Sequence, residues 1–390
     1  MNAIVFGNGK IARGFIGQLL YRSGYSTTFV GVNRNTIDAI NAQGKYYVNV
    51  MGNPSASQWI SDIRCIGIDD IESIAQSLLE SDVAFMSVGG KNIDSLGGTI
   101  AEAINIRPEI LKKERTLITC ENWKDPHIIL EEAIRKNLRT ELIEDFGSNF
   151  GITQAAILRS GVEPTEEILE IDKYAVSVTN YWELPVDASR VKGSIILEGL
   201  ELKQDFGGFL QQKIYTFNTG NATIAYTGSL YGEKILYKAA NDKRIVELLN
   251  RVYAEINPAI AKMMDISIEE QNAFSRKAID KYQDKTVMDF TERHARDPIR
   301  KLGPNDRMVG TARLVEKMGF KVDALAETIA AAIYYCTDNE NDPSAAQLKA
   351  MREEGGAQAV LMNVCGISPE ESLGKAVLGK IEQLKEAVVI

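Results

Sequence analysis

The segment Lys213-Ile-Tyr-Thr-Phe-Asn218-Thr-Gly220-Asn221-Ala-Thr-Ile-Ala-Tyr226 carries one ammonium group followed by amides and hydroxyls, and no charge falls between Ile214 and Gly232. A run of about 18 uncharged residues raises the question of a membrane span. Thr216, Asn218, Thr219, Asn221, Thr223 and Ser229 are too many polar groups for lipid, so the stretch reads as a buried helix lining a site. At about 100° per residue, Asn221 falls roughly 80° from Lys213 and Asn218 roughly 140°. Gly220 then lies nearly beneath Lys213, where a missing side chain leaves room for a ligand. A buried lysine is costly unless it is paired or its lowered pKa is used. The plain alternative is a lysine snorkelling from a helix end, with two satisfied amides behind it.

A second set of residues opens the chain. Ala3-Ile4-Val5-Phe6 is a short apolar strand, Gly7-Asn8-Gly9-Lys10-Ile11-Ala12 follows at once, and an amphipathic helix runs to about Arg22. This is the G-x-G-x-x-G/A turn of dinucleotide-binding folds in its strand–turn–helix setting. Gly7 permits the tight turn, Gly9 lets backbone approach a pyrophosphate, and Ala12 lets the helix pack on the strand. The N–H groups at the helix start favour an anion. After the next strand, residues 27–31, an NAD site places an Asp or Glu for the adenosine ribose. This chain has Gly31-Val32-Asn33-Arg34 there. Without the carboxylate a 2'-phosphate is not repelled, and Arg34 can pair with it, so NADP(H) is expected over NAD(H). If Arg34 is only a solvated first-turn residue, both cofactors bind.

These residues need elements to hold them. Residues 46–50 and 60–66 look like strands of an inserted hairpin, and residues 70–80 like a helix. Residues 83–88 form a buried strand; Val88 and the small Gly89-Gly90 that follow leave space for a cofactor. Residues 116–120 form another strand, ending in Glu121-Asn122. Ligands bind at strand C-termini in open α/β sheets, so Asn122 is either a site residue or a plain Asx-turn. Residues 168–179 alternate like a strand, and the domain boundary is placed near Asp187. From about Gly193 the chain is helical, with runs at 242–256, 268–282, 322–335 and 343–353. Asp342-Pro343 and Ser368-Pro369 look like helix starts. Residues 297–307 hold Arg300, Lys301 and Arg307 among prolines and glycine. They either capture an anion or pair with Asp297 and Asp306.

Composition excludes other classes. A chain of 390 residues with 45% apolar and 25% charged residues is an ordinary globular protein of two or three domains. A net charge of -9 argues against nucleic acid or an anionic membrane as partner. The start carries no signal-peptide pattern, and the four separated cysteines read as reduced thiols of a cytoplasmic protein. Only His127 and His294 occur, and no Cys/His cluster offers a metal site.

The start Phe6-Gly7-Asn8-Gly9-Lys10-Ile11-Ala12-Arg13-Gly14-Phe15-Ile16-Gly17 resembles that of mannitol-1-phosphate 5-dehydrogenases, among the polyol-specific long-chain dehydrogenases. The likeness continues through Cys120-Glu121-Asn122, the Lys213 to Tyr226 segment, Pro298-Ile299-Arg300-Lys301-Leu302 and Ala330-Ala331-Ala332, and so covers nearly the whole chain in order. It implies an N-terminal Rossmann domain (1–187), a mostly helical C-terminal domain (188–390) and a metal-free active site between them. It makes Lys213 the general acid/base, Asn122 and Asn218 the oxyanion-stabilising amides, and Arg300, Lys301 and Arg307 part of the substrate-binding segment. Gly7, Asn8, Gly9, Lys10, Ile11, Ala12, Asn33, Arg34, Val88, Gly89 and Glu121 would then hold NAD(P). The implied partner is a small molecule, a polyol or sugar phosphate, and the protein a monomer or weak homo-oligomer.

Three departures stand out. Where the resembled family has a histidine three residues after Asn218, this chain has Asn221, an amide that orients or hydrogen-bonds but takes up no proton. The ribose-binding acid is Gly31. The family's Val-Asp-Arg-Ile run reads Ile157-Leu158-Arg159-Ser160, without its acid. The expected activity is hydride transfer between a nicotinamide cofactor and a polyol/ketose pair of the mannitol 1-phosphate/fructose 6-phosphate type. The alternatives are an unphosphorylated polyol or a uronate, or a nucleotide-binding protein that has lost catalysis.

Overall fold

The computed structural model describes residues 1–387. It divides into two compact units, Met1–Phe206 and Gly207–Ile390.

In the first unit, strands β1 (Asn2–Phe6) and β2 (Ser26–Gly31) are followed by β3 (Tyr46–Met51), β4 (Gln58–Ile60), β5 (Ile63–Gly67) and β6 (Val83–Met86). Then come β7 (Arg115–Thr119), β8 (Phe150–Gln154), β9 (Gly161–Val162) and β10 (Val176–Thr179). Six of them make an all-parallel sheet in the order β5-β2-β1-β6-β7-β8. The alternation along β1 explains its place at the centre. Ala3 and Val5 pack into one core with Phe15, Ile16 and Leu19. Ile4 and Phe6 pack into the opposite one with Ile74, Leu78 and Ile100. A strand buried on both faces has helices on both sides. The strand order reverses between β1 and β6, the switch point at whose carboxyl ends ligands bind.

The hairpin expected from residues 46–50 and 60–66 is corrected in its second half. β3 pairs antiparallel with β4 in a second sheet, ordered β4-β3-β10-β9, but residues 63–67 leave it for the main sheet. Asp62, at φ 56°, makes the break. The strand expected over 168–179 is likewise split, into the helix Glu166–Ile171 and β10. The division between units lies at Phe206/Gly207 and not near Asp187. Residues past 187 return to the first unit, where β12 (Leu200–Lys203) pairs parallel with β11 (Leu184–Asp187).

The second unit is helical. Lys243–Met264, Ile268–Gln283 and Pro343–Val360 start where Asp242, Ser267 and Asp342 accept hydrogen bonds from Arg244, Glu270 and Ala345 backbone N–H groups. The last helix starts at Ser372, a few residues after Ser368-Pro369. Thr219–Leu230 is the central helix, buried on every side from Thr219 to Gly228. It packs on Lys243–Met264, Thr291–Ala295 and Asp323–Ile333, whose run of alanines allows close approach. Among the described residues no helix is long and apolar enough to cross a membrane.

Candidate functional site

The helix carrying Lys213 is not a uniform α-helix. Phe206–Lys213 runs into a π-helical turn, Ile214–Asn218, before Thr219–Leu230. An inserted residue turns everything after it by about 100°, so Asn221 comes round to about 20° from Lys213 and Gly220 turns away. The expectation that Gly220 leaves ligand space beneath Lys213 is therefore wrong. A Cβ there would run into the Tyr253 hydroxyl of the neighbouring helix. Two buried tyrosines take up carbonyls of the π turn: Tyr253 Oη donates to Thr216 O at 3.1 Å and Tyr282 Oη to Phe217 O at 3.2 Å.

Lys213 keeps a partly open surface, yet enough protein crowds its ammonium that burial, helped by the charge of Arg307, pulls its pKa down to about 8. Arg307 belongs to the loop expected to capture an anion. Its backbone carbonyl accepts hydrogen bonds from Thr219 and Thr311, which ties the loop to the Lys213 helix. Its guanidinium pairs with Asp306 at 2.8 Å, and Arg300 pairs with both Asp297 and Asp306. The two arginines are thus engaged by acids of their own loop. Lys301 differs: it is buried, its Nζ donates to the His294 carbonyl at 2.6 Å, and burial together with Arg307 and Arg300 lowers its pKa to about 7.

Asn221, 7% exposed, has an imidazole beside it. Its Nδ2 lies 2.9 Å and its Oδ1 3.3 Å from His294 Nδ1, and His294 Nε2 lies 2.8 Å from Asp289 Oδ2. Arg293 also pairs with Asp289 at 2.7 Å. Burial works against the Asp289 carboxylate, but its hydrogen bond with His294 and the charge of Arg293 prevail and hold its pKa below the usual value.

In the first unit, Gly7 at φ 115° sits where a Cβ would meet the Ser87 carbonyl of the next strand end. Gly9 faces open space, which fits a pyrophosphate laid against the turn and the helix that follows. Lys10 pairs with Glu163, Ile11 is half-buried, and Ala12 is fully buried against the sheet. Glu121 reaches back from the end of β7, its Oε1 accepting from Val88 N at 2.6 Å and Gly89 N at 2.7 Å. It holds the β6 loop, and burial raises its pKa. Asn122 is exposed just beyond it. Asn33 caps the helix Arg34–Gln43, accepting from Thr36 N at 3.2 Å. Arg34 pairs with Asp69 at 2.6 Å, just past β5. The Asn8 amide occupies the space a side chain at Gly31 would need, and its Nδ2 is buried without a partner.

Sequence profiles of the mannitol dehydrogenase Rossmann domain and the mannitol dehydrogenase C-terminal domain match residues 1–199 and 205–385. The chain belongs to the mannitol dehydrogenase family. It is 31% identical to a mannitol-1-phosphate 5-dehydrogenase of Bacillus licheniformis, over 98% of this chain and all (100%) of that one. It is 27% identical to a second, from Caldanaerobacter subterraneus, over 100% of both chains. A solved D-sorbitol dehydrogenase in substrate-free form shares the fold at a TM-score of 0.82 and 15% identity, covering 99% of this chain and 93% of that one.

Against the mannitol dehydrogenase pattern the departures become physical. Asn221, where the resembled family has a histidine, hydrogen-bonds His294 from another helix. Arg159, whose run lacks its acid, is 1% exposed, and its Nη1 and Nη2 have no hydrogen-bond partner; the guanidinium lies between Phe15 and Trp182, 5.5 and 4.4 Å from their ring centroids. Burial lowers its pKa to about 9. Sequence reasoning missed Asp289, His294 and Asp69. His294, one of only two histidines, was the one signal available. Arg13 was missed as well; its Nε donates to the Asn8 carbonyl at 2.8 Å and braces the glycine turn.

Proposed function

We propose that this protein is a metal-independent dehydrogenase of a polyol/ketose pair, with a sugar phosphate such as mannitol 1-phosphate or fructose 6-phosphate as substrate. The observation that carries the reading is Lys213, whose pKa of about 8 on the Asn218–Asn221 helix suits an acid/base working near neutral pH. In the reducing direction protonated Lys213 gives its proton to the ketone oxygen as the carbonyl carbon gains hydride. In the oxidising direction neutral Lys213 takes the hydroxyl proton as the carbon loses hydride. Asn218 and Asn122 donate amide hydrogens to the developing alkoxide. Gly7, Asn8, Gly9, Lys10, Ile11 and Ala12, with Val88 and Gly89, would hold the nicotinamide dinucleotide, which would supply or accept the hydride. Lys301, Arg300 and Arg307 take the substrate anion. The protein acts in the cytoplasm as a monomer or weak homo-oligomer.

For the cofactor we infer NADP(H) over NAD(H), because Gly31 removes the ribose carboxylate and Arg34 lies beyond it. NAD(H) has one observation on its side: Asp69 occupies Arg34 and brings a carboxylate near the end of β2. The test is turnover of NADPH and NADH with fructose 6-phosphate, fructose, other ketoses and ketose phosphates, and uronates. Oxidation with a phosphorylated ketose, faster with NADPH, is the expected result. Faster turnover of a uronate or a free ketose moves the substrate, and no turnover with any of them, despite tight cofactor binding, moves the weight to a different substrate or to a nucleotide-binding protein that has lost catalysis.

A further inference from the structure

For the neutral His294 ring, the Asp289 carboxylate sets the direction of the interaction with Asn221. A carboxylate is an acceptor only, so Asp289 Oδ2, 2.8 Å from His294 Nε2, requires the proton on Nε2. In the neutral ring Nδ1 is then an acceptor. Of the two ends of the Asn221 amide, Nδ2 at 2.9 Å is the donor and the nearer atom, and Oδ1 at 3.3 Å is the farther. The amide is therefore held with its NH2 end on His294, and no other hydrogen bond engages its Oδ1 among the described residues. The backbone of His294 is held as well, because its carbonyl accepts from Lys301 Nζ. The π turn brings Asn221 to the Lys213 face of the helix.

We propose that Asp289 and His294 are positioning residues that lock the Asn221 amide, so that Asn221 offers Oδ1 as an acceptor to a substrate hydroxyl. This rests on the dehydrogenase reading of the same helix. A nearly buried acceptor placed for a hydroxyl discriminates strongly against an analogue that lacks it, since the acceptor is then left unpaired. The relay thus sets which deoxy analogues of the substrate are refused.

Two measurements on the full chain test this separately from the activity. The first is nitrogen-15 NMR of histidine-labelled protein. With two histidines in the chain, the His294 signals are those missing from H294Q. The expected spectrum has His294 as the Nε2–H tautomer, with that tautomer no longer fixed in D289N. An Nδ1–H tautomer in the unaltered protein overturns the proposal, whether or not a substrate is ever found. The second is kinetic, with whichever ketose turns over and its deoxy analogues. H294A and D289N are expected to raise KM about tenfold with a smaller change in kcat, and to narrow the preference over the deoxy analogue. The exchanged pair, N221H with H294N, is expected to recover part of that loss. Unchanged KM and discrimination in H294A, or an exchanged pair no better than either single variant, also overturns it.

Discussion

Arg307 and Lys213 are two cations of the same unit, and the guanidinium adds to burial in drawing the Lys213 pKa from 10.5 to about 8. Alcohol oxidation needs neutral Lys213, so its rate should rise with pH through about 8 and level above it. Ketone reduction needs the ammonium, so its rate should fall over the same range. K213A should lower turnover in both directions by orders of magnitude while cofactor affinity, read by fluorescence titration, stays the same. A variant that turns over normally removes Lys213 from the chemistry.

Removing the second cation tests the first. In R307L one of the two causes of the depressed pKa is gone, so the midpoint of the oxidation profile should move toward higher pH. If Arg307 also holds a substrate phosphate, KM for the phosphorylated ketose rises in the same variant far more than KM for the unphosphorylated one. The two readouts are independent. An unmoved midpoint with a raised KM leaves Arg307 as a binding residue alone.

Lys301 predicts a stability effect. Its folded pKa is about 7 against an ordinary 10.5. Between these values the unfolded chain binds more protons than the folded one, so stability from this group rises as pH climbs from about 7 toward 10.5 and is lowest below 7. K301M removes a buried cation and should stabilise the protein by a few kcal/mol near pH 6, less about 1 kcal/mol for the His294 carbonyl left unpaired. Near pH 10 the advantage should be gone. Urea unfolding at both pH values checks it. The same variant should bind an anionic substrate worse, since a group this costly to keep buried is expected to have a use. Equal stability gains at both pH values contradict the assignment.

The parts legible beforehand were those with local rules. The Gly7–Ala12 turn follows from a strand, two glycines and a helix start in immediate succession, and Asp342-Pro343 marks the start of a helix. What failed was carried by tertiary contacts. A helical wheel cannot foresee the π turn at Ile214–Asn218, because the groups that take up its carbonyls, Tyr253 and Tyr282, lie tens of residues away. That turn alone moves Gly220 away from the Lys213 face and Asn221 onto it. The stretch 60–66 patterns as one strand because its apolar residues straddle Asp62, whose positive φ no alternation pattern records. The loop cations were visible, but their division was not: Arg300 and Arg307 pair with Asp297 and Asp306, while Lys301 is buried on the His294 carbonyl.

Asn8 and Gly31 are one packing unit, and that makes the cofactor argument testable in a specific order. G31D alone puts a side chain into the space of the Asn8 amide, so it should weaken both cofactors. N8A with G31D frees that space and restores a carboxylate at the end of β2, and the ratio of kcat/KM for NADPH to that for NADH should fall by about tenfold or more. R34L should lower kcat/KM for NADPH and leave NADH nearly unchanged if its guanidinium leaves Asp69 for a 2'-phosphate. If instead Asp69 accepts from the ribose hydroxyls, D69A harms NADH selectively and R34L does not separate the cofactors. The second pattern transfers the assignment to NAD(H), with the carboxylate supplied from the end of β5 in place of β2.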